Sequence, residues 1–109
     1  MTKKERVELW IKYAEDDLSV ATHLFKTHNP LPINIICYHC QQAAEKALKT
    51  VLIHNDAKYP KTHDISEILQ ITQKYEPSIM ITDVIAEKLT SLAVDTRYPD
   101  NVIEFRQPL

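Results

Sequence analysis

Residues 37–49 read Cys37-Tyr38-His39-Cys40-Gln41-Gln42-Ala43-Ala44-Glu45-Lys46-Ala47-Leu48-Lys49. Ala, Gln, Glu, Lys and Leu dominate this run, and these are the residues that lose least freedom on entering a helix. Ile36, Cys40, Ala43, Ala44, Ala47, Leu48 and Val51 form a stripe of small apolar side chains at helical spacing. Small side chains let a neighbouring helix come close, so the spacing predicts a central helix from just after Pro32 to about His54. Cys37 and Cys40 stand in the C-x-x-C spacing of a redox pair or half a zinc site. No second such pair follows and the flanks read as helix interior, so both are expected as buried structural thiols.

Working outward, Thr2 and Glu5 have the spacing of a capping box. Val7, Trp10, Ala14, Leu18, Ala21 and either Leu24 or Phe25 then predict a first helix running to about Lys26. Pro30 and Pro32 make residues 27–32 a loop. Beyond the central helix, residues 55–61 form a loop containing Tyr59-Pro60, and Thr62 is expected as the next N-cap. Ile65, Ile68, Leu69 and either Ile71 or Thr72 predict a short third helix ending near Tyr75. Past Pro77, residues 78–94 predict a fourth, and 95–109 an irregular tail. Short connections between amphipathic helices imply one all-α domain over residues 1–109, an up-and-down four-helix bundle.

The chain holds no glycine, which removes the phosphate loops that depend on close backbone approach. It also removes the Asn-Gly and Asp-Gly hairpins of a β-meander. A formal net charge of −2 argues against a broad basic surface for duplex DNA, though thirteen Lys and Arg leave room for a local basic pocket. The first ten residues are charged and lack the apolar core of a signal peptide. No apolar run approaches the roughly 18 residues of a membrane span. A cytoplasmic chain with no membrane contact is the expectation.

Trp10, Ala14, Asp17, Leu18, Ala21 and Leu24, the run at 37–49, Thr62-His63-Asp64-Ile65 and Asp95-Thr96-Arg97-Tyr98-Pro99-Asp100 occur in an order that resembles the HEPN domain family, over about residues 6–100. The resemblance implies a helical bundle, frequent homodimerisation and a prokaryotic gene neighbourhood holding a small nucleotidyltransferase, often as a toxin–antitoxin pair. It also implies, for the nuclease members, metal-independent cleavage of RNA by an arginine followed after four to six residues by a histidine. That motif is absent here: the window from Arg97 falls on Val102, Ile103 and Glu104, and from Arg6 on Ile11, Lys12 and Tyr13. Family members commonly continue past the T-R-Y-P motif into another helix. This chain stops at Leu109, so it is expected either as a shortened relative or as one whose missing packing comes from a partner.

Three groups are candidates for ligand binding. His39, Gln42, Glu45 and Lys46 share a helix and could hold a phosphate and a base edge, or serve as a polar stripe fastening neighbouring helices. His63 beside Asp64 reads either as a proton-transfer histidine with its orienting carboxylate or as part of a helix cap. Arg97 and Tyr98 offer a planar donor fork for phosphate and a stacking ring, or a salt bridge that pins the loop. The five histidines share no metal-ligand spacing, and neither metal nor cofactor is expected. A nucleotide or RNA ligand, a nucleotidyltransferase partner and a second copy of the chain are the expected company. Ribonuclease action and a purely structural subunit are the alternatives.

Overall fold

A computed structural model describes residues 1–79, and all regular structure among them is helical. Helix α1 spans Lys3–Thr27, α2 spans Ile33–His54 and α3 spans Ile65–Gln73. Of the fourth helix expected at 78–94, residues 78–79 are described and are not helical; residues 80–94 and the tail at 95–109 lie outside the described residues.

Local chemistry sets each boundary. The Thr2 hydroxyl accepts from the Glu5 amide at 3.1 Å, making Thr2 the N-cap of α1. Helix α2 ends in a left-handed residue, a position usually given to glycine. Lacking any, the chain uses Asp56 at φ 57°. The Ala57 amide then reaches the Leu52 carbonyl and the Asp56 amide the Ile53 carbonyl, at 2.9 and 3.1 Å. The cap of α3 is a correction: Asp64, not Thr62, accepts from the Ser66 and Glu67 amides. Thr62 instead accepts from the Asp64 amide at 3.1 Å, placing the residue that does the capping.

Helices α1 and α2 run antiparallel, since Lys3 meets Asp56 while Asp17 meets His39 and Lys46. On α1, Ala21 is buried and Val7, Trp10, Ala14 and Leu24 are half-buried. Leu18 is exposed, against the expected stripe, and of the alternatives Leu24 and Phe25 it is Leu24 that is covered. The positions facing α2 are 7, 10, 14, 17, 21 and 24, an alternation of three and four that puts Asp17 where Leu18 was expected.

The apolar core lies between α2 and α3, where Leu48, Ile65, Ile68 and Leu69 pack together and Ile79 closes over them. Thr72 joins this buried face, its hydroxyl satisfied by the Ile68 carbonyl at 2.7 Å. The buried face of α2 shares Leu48 with the expected small-residue stripe and otherwise departs from it. It carries Gln41, Glu45, Leu48, Lys49, Thr50, Leu52 and Ile53, while Ala43 and Ala44 are half-buried and Ala47 is exposed. The reason is that α2 packs against two neighbours, α1 and α3, and its polar residues pair with groups on both sides. Cys37 and Cys40 are free, half-buried thiols. Burial pushes both up from the ordinary thiol range, and Cys40 pushes Cys37 further, so both stay protonated.

Candidate functional site

Two ionic groups sit on opposite flanks of α2. On the α1 flank, Asp17 receives His39 Nδ1 at 2.9 Å on one carboxylate oxygen and Lys46 Nζ on the other. His39 and Lys46 are seven residues apart, two helical turns, so both reach one carboxylate across the interface. The Asp17 side chain is only 13% exposed. Burial alone would raise its pKa, but the hydrogen bonds and charges of Lys46 and His39 outweigh that and hold the carboxyl below its ordinary range.

On the α3 flank, Gln41, Glu45 and Lys49 line up one turn apart and are all buried. Glu45 receives His63 Nδ1 at 2.7 Å and stands 3.5 Å from Lys49 Nζ. The Glu45 side chain is 6% exposed while that of His63 is 60% exposed, so a buried carboxylate holds a ring that still reaches solvent. A carboxylate only accepts, so Nδ1 carries the proton in this bond, and Nε2 has no hydrogen-bond partner among the described residues. Gln41 donates to the His63 carbonyl at 3.4 Å and its own oxygen accepts from Gln42 at 2.9 Å. Side chain and backbone of His63 are both tied to α2.

The structure therefore brings His39 and Lys46 together through Asp17, connects Gln42 with the His63 backbone through Gln41, and pairs the His63 ring with Glu45. Asp64 stands apart, its carboxylate used in capping α3, so the carboxylate that orients His63 is Glu45 and not its chain neighbour. Arg97 and Tyr98 lie outside the described residues. Sequence reasoning read Asp17, Gln41 and Lys49 only as parts of a family pattern and not as site candidates. The signal was present: polar residues at 41, 45 and 49 repeat every four positions through a helix whose Leu48 and Leu52 mark the same face as buried.

The α2 flank continues to an aromatic pair. Lys49 Nζ lies 5.5 Å from the Tyr59 ring centroid, the Arg6 guanidinium 5.6 Å from it, and Trp10 meets Tyr59 edge-on at 5.3 Å. Among the described residues, no three His, Cys, Asp or Glu side chains stand where they could share a metal ion. Nor, among those residues, is any helix long and apolar enough to cross a membrane.

These features define a helical domain whose second helix carries paired carboxylate–cation chemistry toward both neighbours. The HEPN domain family matches residues 7–107, and the chain belongs to that family. It is 42% identical over 85 residues to the protein named "Putative toxin MJ1304" of Methanocaldococcus jannaschii, a match covering 78% of this chain. The chain spans about half the length of that curated relative, 51%. No solved structure shows a significant match.

Proposed function

We propose that this chain is a nucleotide- or RNA-binding HEPN module acting with a nucleotidyltransferase partner in a toxin–antitoxin-like pair, and that it works as a homodimer in the cytoplasm. The observation that carries the reading is the 42% identity to a relative named as a toxin. The polar residues of α2 support it, with an imidazole and an ammonium on the α1 flank and amides on the other. Arg97 and Tyr98 are the further ligand contacts. The test is co-purification with the product of the neighbouring gene, together with calorimetric titration by nucleotides and RNA. A stable complex and saturable binding are expected; failure of both overturns the reading.

A second reading, a metal-independent ribonuclease, is favoured by one specific observation: His63 is held through Nδ1 by the buried Glu45 while its ring stays exposed. A carboxylate-oriented imidazole with an open Nε2 suits general acid–base work on a ribose hydroxyl or leaving oxygen. Under this reading Arg97 would steady the phosphate. RNA cleavage in the presence of a chelator should fall by about 10²–10⁴-fold in His63→Ala, the range for loss of a general acid–base group. Cleavage unchanged in both His63→Ala and Arg97→Ala would mark a contaminant and end this reading.

A further inference from the structure

One groove lies away from His39 and Lys46, where the start of α1 meets the connection between α2 and α3. Its volume is about 710 Å³, within the range that holds a nucleotide-sized ligand. Lys3, Arg6, Lys58, Lys61, Tyr59 and Asp56 are among the residues that line it. Among the described residues Asp56 is the only carboxylate in that lining, and Lys3 lies 3.2 Å from it, so this pair largely cancels. Arg6, Lys58 and Lys61 have no ion-pair partner among the described residues, and all three are exposed. In a chain of net charge −2, three uncompensated cations around one concavity are a local concentration of positive charge.

Tyr59 gives the groove its shape. It is half-buried against Trp10, and its ring fixes the Arg6 guanidinium 5.6 Å from its centroid. Among the described residues no hydrogen bond or ion pair takes up the Arg6 side chain, so its donor fork is open for a planar acceptor such as phosphate. Lys58 and Lys61 flank Tyr59-Pro60 in the same short connection, so the two ammonium groups are carried beside the ring.

We propose that this groove binds the phosphate of a nucleotide unit, free or in a single RNA strand, through Arg6, Lys58 and Lys61. The proposal rests on the reading of the chain as a nucleotide- or RNA-binding module, and it adds Arg6, Lys58 and Lys61 to the candidate contacts of that reading. Lys61 stands two residues before His63 in the same connection, and Lys49 lies near both Tyr59 and Glu45, the residue that holds His63.

The experiment is a titration of the full chain with ATP and with an oligouridylate of about eight nucleotides, within the site size of single-strand binders. It compares the natural chain with the triple variant Arg6→Ala/Lys58→Ala/Lys61→Ala and with Lys58→Ala/Lys61→Ala. The double variant leaves the Arg6–Tyr59 pair untouched, so it reports on charge without disturbing packing. Expected is a fall in affinity of about tenfold or more in the triple variant. The salt dependence of RNA binding should flatten by about 2 logarithmic units of slope, at about 0.7 for each phosphate no longer neutralised. Weakening for ATP alone assigns the groove to free nucleotides, and weakening for RNA alone to a strand. Binding unchanged in both variants overturns the groove and leaves the binding module standing. Binding of neither ligand by the natural chain overturns both.

Discussion

Asp17 occupies a seam position that Val7, Trp10, Ala14, Ala21 and Leu24 otherwise fill with apolar side chains. A carboxylate in such a seam costs desolvation, and here His39 and Lys46 offset it. Asp17→Ala leaves both cations facing a mostly buried gap, so a loss of about 1–3 kcal/mol is expected from urea unfolding. The same group sets an acid limit. Its carboxyl is held below the unfolded value of about 3.9, so the unfolded chain takes up this proton first. The stability it contributes is complete above that value and drains as pH falls through the lower folded value. Between about pH 6 and about pH 2.5, the natural chain should therefore lose more stability than Asp17→Asn. Parallel loss in the two proteins would show that Asp17 is not the group titrating. The seam is legible in the alternation of three and four. Leu18, one residue on, competes with it because it is the more apolar neighbour and also fits a helical spacing.

At the scale of the elements, helix ends are the least legible feature and helix bodies the most. Two prolines bracket the turn between α1 and α2, and the apolar spacing within each helix is regular, so their limits follow closely from the sequence. At α3 two cap-forming residues, Thr62 and Asp64, stand two apart. The residue immediately before the first buried apolar position, Ile65, does the capping, and Asp64→Ala should cost about 1 kcal/mol while Thr62→Ala costs less. The buried face of α2 departs from the expected stripe because small size is not what marks helix contact here. The contact is instead made by long polar side chains paired across the interfaces, and pairing depends on partners far away in sequence. Asp56 gives a sharper element-scale test. At φ 57° a β-branched side chain is strongly opposed, so Asp56→Val should lower stability by about 1–2 kcal/mol. Asp56→Gly should hold or raise it, because its pair with Lys3 is solvent-exposed and weak. Thermal unfolding of the two variants side by side measures the difference, and equal midpoints would contradict the helix-ending role.

At the scale of the whole molecule, the described residues bury few large apolar side chains, with Leu48, Leu52, Ile53, Ile65, Ile68 and Leu69 doing most of it. Outside that core, α1 presents Ile11, Leu18 and Phe25 at 42%, 54% and 63% exposure, spaced seven residues apart along one line. Fourteen residues of helix carry that line over about 21 Å, enough for a helix of a second copy to lie against it. Covering such a stripe favours pairing, and a pair of identical chains closes on itself when one patch meets its own copy across a two-fold axis. The expected assembly is therefore a symmetric dimer using the α1 face. Sedimentation at micromolar concentration should give about twice 12.6 kDa. Leu18→Glu places a charge at the centre of the stripe, where burial against its own copy sets two carboxylates together, and should return the mass to that of one chain. Because Leu18 is exposed in the single chain, this substitution leaves the helical content and the α2–α3 core intact, which circular dichroism would register. A natural chain that sediments at 12.6 kDa overturns the dimer, and a Leu18→Glu variant that remains paired moves its interface away from α1.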